Sequence, residues 1–263
     1  MRTCVNENDQ HWPLFAIRSG ITFSFTTSTL NDLIATTNTG ATGFKISEVY
    51  FVGAMVKPAP SYIDSFMAGI SGGKSASIPL QVVRNVRFKP STLTNSETNL
   101  HIGQLKSLRQ IWAISREATS INSSSTDSFA LDSLNALNSY YYMIGSERFP
   151  QNKEIYSNNA VASGAVDPES VMQSLVGLDN TYSWMSAFSG SNAYADNKDC
   201  LFAPYTFASN RSLGAGMATS DGFIQLVTKY SSAPAGTETI DAFIVYDAVL
   251  KLGATIELDA KSF

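Results

Sequence analysis

The side chains that could do chemistry in this chain are few and scattered. His11 and His101 are its two histidines. A Ser-His-Asp mechanism needs an imidazole base, and neither histidine lies near a nucleophile-elbow pattern. His101 sits between Asn99-Leu100 and Ile102-Gly103, a loop-to-strand context that suits a capping or surface histidine. Cys4 and Cys200 are the two cysteines, too few with two histidines to build a multi-ligand zinc cluster. They read most simply as free thiols in a reducing compartment. Gly69-Ile-Ser-Gly-Gly-Lys-Ser75 invites comparison with a phosphate loop. That motif needs Gly, four residues, then Gly-Lys-Ser. Counting back from Gly73, the required glycine falls on Ala68, and the segment runs on into a strand rather than a helix. A Gly-rich turn with a solvated Lys74 is the expectation.

Acids are the remaining option. A glycosidase pair meets in space rather than in sequence. Asp64, Glu97 and Asp241 are candidates only in the sense that any of the 22 acids is. Asp196-Asn-Lys-Asp199 lacks the alternating ligands, central Gly and terminal Glu of a calcium loop. Asn122-Ser-Ser124 and Asn210-Arg-Ser212 fit the glycosylation sequon as chance matches in an Asn/Ser-rich chain. The expectation is a protein without enzymatic activity, with no catalytic residue, no metal site and no cofactor.

Composition bounds the rest. The chain has 263 residues, enough for one large or two small domains. Charged residues are 15%, against a usual ~25%, and Ser, Thr, Asn and Gly supply the polarity instead. The formal charge is −4, so no basic excess is present to neutralise a phosphate backbone, and nucleic-acid binding is not expected. The N-terminus has no apolar core of a secretory signal, and no run approaches the ~18 apolar residues of a membrane span. The expectation is a protein made inside a cell, not secreted, without a membrane span.

The elements that would position any site are mostly strands. Ile21–Thr26 alternates apolar and polar residues, the period of a half-buried strand. Phe44–Val56, Ile78–Phe88, Leu108–Ser115, Tyr140–Ile144, Cys200–Phe207, Phe223–Tyr230 and Ile240–Leu258 are rich in β-branched and aromatic residues. The last gives one long or two short strands. Turn residues such as Asn38-Thr-Gly40, Ser71-Gly72-Gly73, Ser189-Gly190-Ser191 and Asp221-Gly222 divide them. Helix is sparse: Ser61–Met67 after a Pro pair, and Pro168–Leu178 with Asp167 as N-cap and Pro168 as its first residue. The fold class predicted is all-β, an antiparallel jelly-roll sandwich of about eight strands with long loops and one or two short helices. Two compact jelly rolls, linked through Ala118–Ser128, are the alternative. The expected organisation is an N-terminal arm with one strand over 1–43, a jelly roll over 44–258 with a long insert near 152–198, and a tail over 259–263. In Tyr140-Tyr141-Tyr142, Tyr141 falls on the opposite face from its neighbours. It would serve as an interface or a glycan-stacking surface, or simply pack with a wet hydroxyl.

An ordered set of short motifs runs through these strands. It begins at Lys45-Ile-Ser-Glu-Val-Tyr-Phe51, continues through Val56-Lys-Pro58 into Ala76-Ser-Ile-Pro-Leu80, then Gly103-Gln-Leu-Lys-Ser-Leu-Arg109 and Gln110-Ile-Trp-Ala-Ile114. Tyr140–Ile144, Gly145 and Phe149-Pro150 follow, then Leu201-Phe202, Gly216, Gly222–Val227 and Phe243–Leu252. This order resembles the C-terminal jelly roll of major capsid proteins of the PRD1–adenovirus lineage, nearest to those of Polinton-like viruses, virophages and large eukaryotic DNA viruses. Lys106 stands where that family commonly has proline. The resemblance implies a structural virion protein, a subunit that associates with copies of itself as a trimer and forms pseudo-hexameric capsomers of an icosahedral shell. Its partners would be neighbouring capsomers and penton or minor capsid proteins, and its location the virion capsid. The family's usual chain has two jelly rolls, so one roll here would be a fragment, a single-roll relative, or a roll with an unusually compact companion.

The family's functional elements are interfaces, so the site residues expected are interfacial: Tyr141, and within the long insert Trp184, Met185 and Phe188. Loops that long are usually functional or ordered by a partner. Low charge suits such surfaces, since interfaces are depleted of Lys, Glu and Asp. Two other readings remain open at this point: a carbohydrate-binding jelly-roll module, and a glycan-cleaving sandwich enzyme.

Overall fold

Runs of β-branched and aromatic residues form the sheets, as their packing on a pleated, half-buried surface requires. The computed structural model describes residues 13–16, 22, 24, 26, 45–50, 56–90, 92–100, 103–117, 137–156, 202–208, 214–219, 223–234, 237–253 and 256–259. Its strands are β1 (Ala76–Phe88), β2 (Asn95–Leu100), β3 (Leu108–Glu117), β4 (Leu137–Ile144), β5 (Glu147–Phe149), β6 (Ile155–Tyr156), β7 (Phe202–Thr206), β8 (Ile224–Tyr230), β9 (Glu238–Leu252) and β10 (Ile256–Asp259). One sheet has the order β1-β9-β3-β7, with β10 also on β9. The other has the order β2-β8-β4-β5, with β6 also on β4. Every pairing is antiparallel.

The pairings are nested. The first strand pairs with the ninth, the second with the eighth, the third with the seventh, and the fourth with the fifth and sixth. Partners alternate between the two sheets, so the chain is one long antiparallel ribbon wound into a sandwich. That is a jelly roll, as the sequence predicts, with ten strands among the described residues instead of about eight.

The core lies between the sheets. Leu108, Ile111 and Ala113 of β3, Ile240, Ala242, Ile244, Tyr246 and Ala248 of β9, and Tyr140, Tyr142, Ile144, Ile224 and Leu226 of the facing sheet form one buried cluster. Two tyrosines of β4 span the gap. Tyr140 Oη donates to the Pro204 carbonyl at 2.8 Å, and Tyr142 Oη to the Ala203 carbonyl at 2.7 Å. Those carbonyls are available because β7 is irregular. Phe202 faces Ala113 and Tyr205 faces Ile111, so β7 carries an extra residue against β3. Ala203 takes φ 46° at this point, a conformation costly without glycine. Burial pushes the Tyr142 hydroxyl far above its ordinary range, so it stays a donor.

Several sequence expectations change. The polar run Asn95–Leu100, which has no strand signature, forms β2 because β8 offers it a register from Lys229 to Ile224. Only Leu100 in it is buried. Strands are expected at Ile21–Thr26 and Phe44–Val56, and the described residues of the two runs form none. Thr22, Ser24 and Thr26, and Lys45–Tyr50, are exposed and lie outside any strand. Alternation and composition say how a run could pair, not that it does. The helix expected after the Pro pair is longer, Pro60–Ser71 (α1), with proline in its first turn. Gly72, Gly73 and Lys74 N–H groups close its last turn on the Ala68, Ile70 and Gly69 carbonyls, with Gly73 at φ 84°. The glycine cluster is thus a helix stop. Phe15 packs edge-on against Phe66 of α1 at 5.2 Å. The helix expected at Pro168–Leu178 lies outside the described residues.

Tyr142→Phe keeps the ring in the core and removes one of the two tyrosine bonds that reach the β7 bulge. The expected loss is about 1–3 kcal/mol, the cost of leaving a buried partner unsatisfied, read from denaturant unfolding of the variant beside the wild type.

Candidate functional site

The acids considered for catalysis do not meet. Asp64 is exposed on α1, and Glu97 is exposed on β2. Asp241, on β9 in the other sheet, is buried and bidentate with Arg87: Nε donates to Oδ1 at 2.7 Å and NH2 to Oδ2 at 3.2 Å. Among the described residues no three His, Cys, Asp or Glu side chains form a group that could hold a metal ion. His11, His101, Cys4, Cys200, Asp196–Asp199, Asn122 and Asn210 lie outside the described residues.

What the strands do converge on is a buried polar knot where β3, β9 and residues 214–219 meet. Asp247 of β9 is fully buried. Its carboxylate accepts from Ser107 Oγ at 2.5 Å, from Arg109 NH1 at 3.3 and 3.4 Å, and from the Gly214 N–H at 2.8 Å. Its own N–H donates to the Ser107 carbonyl. Ser107 Oγ in turn accepts from the Gly216 N–H at 3.0 Å. Leu108 and Met217 exchange two backbone bonds, and Leu105 N–H donates to Thr219 Oγ1 at 2.9 Å. Position 216 must be glycine. A Cβ there would sit 2.5 Å from the Leu108 carbonyl oxygen and 2.6 Å from Ser107 Oγ. A buried ion pair is tolerable only with its remaining lone pairs filled, and here backbone N–H groups and a hydroxyl fill them.

Tyr141 lies where strand alternation puts it. Tyr140 and Tyr142 are buried in the core, and Tyr141 is half-buried on the outer face of the β2-β8-β4-β5 sheet. The guanidinium of Arg148 covers its ring at 4.1 Å, a cation–π contact. Beside it, Glu154 accepts from Ser139 Oγ at 2.7 Å and from Lys229 Nζ, with Arg148 NH2 at 3.7 Å. Desolvation pushes the Glu154 carboxyl up, but the Lys229 and Ser139 hydrogen bonds and the two nearby cations outweigh it and hold the group below its usual 4.5. The bond to Glu154 raises the Lys229 ammonium above its usual 10.5. Trp184, Met185 and Phe188, the other interface residues expected, lie outside the described residues.

The opposite outer face, on β1-β9-β3-β7, is apolar at its centre. Trp112 and Phe243 stack at 4.3 Å, with Val245 and Ile114 beside them. Trp112 is 5% exposed. Sequence reasoning did not single out this stack or Asp247. Trp112 does sit in an alternating strand, one residue from Ile111 and Ala113, which is the signal for an outward-facing aromatic. Apolar surface also remains open elsewhere: Ile46, Val49, Tyr50 and Val56 are 57, 69, 75 and 60% exposed.

Asp247→Asn retains the shape of the knot but removes the carboxylate charge that faces the buried Arg109 guanidinium. The expected destabilisation is about 3–5 kcal/mol, seen as an early thermal midpoint. For the surface pair, the folded Glu154 pKa is lowered, so its contribution is present above 4.5 and disappears as pH falls below that value. The folded Lys229 pKa is raised, so its contribution is present below 10.5 and disappears as pH rises past it. Glu154→Gln is therefore expected to melt below the wild type at pH 7, with the gap closing as pH drops through 4.5.

No protein-family model matches the chain, and no curated protein matches it. Among solved structures it is similar to a chain of the quasi-atomic model of the PBCV-1 virus capsid, at 7% identity, over 70% of this chain and 51% of that one, with a TM-score of 0.38. It is also similar to the crystal structure of PBCV-1 VP54 fitted into a cryo-EM reconstruction of the virophage Sputnik, at 9% identity, over 76% and 54%, with a TM-score of 0.41. The chain spans about half the length of these two structures.

Proposed function

We propose that this chain is a structural virion protein, a capsid subunit whose copies assemble as trimeric, pseudo-hexameric capsomers of an icosahedral shell. A jelly roll by itself specifies no function. The observation that carries the reading is spatial. From Ala76 onward the motifs that resemble the double jelly-roll capsid lineage fall in order on or beside β1, β3, β4, β5, β7, β8 and β9, while Lys45–Tyr50 of the first motif forms no strand. Two of them far apart in sequence, Gly103–Arg109 and Gly216, meet in the Asp247 knot. Linear order alone does not contain that meeting.

Other features support the same reading. A chain with 15% charged residues suits a surface largely covered by copies of itself. The exposed Ile46, Val49 and Tyr50 are the sort of apolar surface that marks contacts between proteins. In this proposal Tyr141, Trp184, Met185 and Phe188 line contacts between subunits. Residues 152–198 form an insert ordered by neighbours, 1–43 an arm and 259–263 a tail of the 44–258 roll. Neighbouring capsomers and penton or minor capsid proteins are the further partners, and the virion is the location. The carbohydrate-binding alternative leaned on Tyr141 as a stacking platform, and Arg148 already occupies a face of that ring.

Size-exclusion chromatography with light scattering is expected to give trimers or larger species, and electron microscopy of concentrated protein hexagonal arrays. A protein that stays monomeric at high concentration and is retained on a glycan column would overturn the proposal in favour of the lectin reading.

A further inference from the structure

Short strands at the end of a sheet open more easily than its long ones, because few backbone bonds and few buried side chains hold them. Residues 145–156 form such a piece. Gly145 turns the chain at φ 60°. It then runs back along the edge of β4, as β5 opposite Tyr142–Ile144 and as β6 opposite Ser139 and Tyr140. β5 has three residues and β6 two. Gln151, Asn152 and Lys153, between them, are exposed. The apolar anchors are Phe149, edge-on to Phe207 at 5.8 Å, and the fully buried Ile155.

The polar fastener is Glu154. Side chains from three strands meet at its carboxylate: Ser139 Oγ of β4 at 2.7 Å, Lys229 Nζ of β8, and Arg148 NH2 of β5 at 3.7 Å. Ser139 is buried. Arg148 also covers the Tyr141 ring at 4.1 Å. From the far side of β8, β2 brings Asn95 across from Lys229 and Glu97 across from Val227. Lys153 and Tyr156 flank the site in the chain. Among the described residues no other carboxylate pairs with Lys229 or Arg148. With the Glu154 charge gone, these two cations stand together with no anion between them, an arrangement that Coulomb repulsion disfavours.

We infer that residues 145–156 are an acid-released strap: neutralising Glu154 frees β6 and the loop before it from β4, while the rest of both sheets stays folded. Loss of the charge removes both ionic contacts at once. What then remains on β6 is two residues of backbone pairing and the Ile155 side chain. The sign follows from the lowered carboxyl: the strap is held above 4.5 and released as pH falls below that value. Release acts at a particular place, because the strap includes the first residues of the insert proposed at 152–198 and so sets where that insert leaves the sheet. The inference needs no self-association and is independent of the capsid reading.

Hydrogen exchange of the full chain, read by mass spectrometry at pH 7 and again well below 4.5, tests it once rates are corrected for the intrinsic effect of pH. In acid, amides of 145–156 are expected to lose protection by about tenfold more than those of β3 and β9. Glu154→Gln is expected to show that loss already at pH 7, with no further loss confined to the strap in acid. Exchanging the pair, Glu154→Lys with Lys229→Glu, is expected to restore the strap at pH 7, which a role in packing alone would not do. Equal losses in strap and sheets would mean that Glu154 supports only the stability of the whole. An unchanged strap in Glu154→Gln would mean that Phe149 and Ile155 suffice to hold it, and an exchanged pair that restores nothing would mean that charge is not the fastener. Each of these three results overturns the inference.

Discussion

The structure depends on β9. A strand buried on both edges must satisfy its backbone N–H and C=O groups on both sides, because an unpaired polar group away from water costs as much as a lost hydrogen bond. β9 meets that demand with β1 along one edge from Leu252 to Ile240. Along the other it pairs with β3 from Tyr246 to Glu238 and with β10 from Leu252 to Val249. Its inward side chains, Ile240, Ala242, Ile244, Tyr246 and Ala248, supply the middle of the core. Its outward ones include Asp241 for Arg87 and Phe243 for Trp112. Asp247 then fixes where residues 214–219 return to the sheet. One strand therefore sets register, core and loop position at once.

The Asp247 knot does a different job from the apolar core. Hydrophobic burial is non-directional, so it can bring two sheets together without choosing a register. A fully buried carboxylate that must find Ser107, Arg109 and the Gly214 N–H has one arrangement. A shift of β3 by one residue would move Ser107 and Arg109 to the other face and leave the charge unpaired. The Tyr140 and Tyr142 hydroxyls act similarly across the sandwich, since each reaches one particular carbonyl of β7.

Much of this was legible in the sequence, and the reason is periodicity. β1, β3, β4, β7, β8 and β9 announce themselves because their inward positions carry apolar side chains that no other arrangement would bury. Tyr141 was placed on the face opposite Tyr140 and Tyr142 by the same rule. β2 was not legible, because Asn95–Leu100 is held by the edge of β8 rather than by its own burial. Phe44–Val56 differs in the opposite sense: it has the composition of a strand, and its described part, Lys45–Tyr50, forms none. The charged knot was half visible. Gly103–Arg109 and Gly216 stood out as motifs, but nothing in the linear chain tied them to Asp247, which lies 138 residues beyond Arg109.

The nested pairing has a consequence for synthesis. A chain leaves the ribosome from its N-terminus, and β1 emerges long before its partner. Val86 must wait for Ala242, and β3 waits for both β7 and β9. Among the described strands, only β4 with β5 and β6 can pair promptly. Contacts so distant along the chain make folding slow, and the outer layers of the ribbon can close only after the last long strand has been made. A chain cut short before Glu238 lacks the strand that every other element of its sheet leans on, directly or through β3, and has no finished sandwich to contribute. The topology thus makes synthesis of β9 a condition for closing the sandwich.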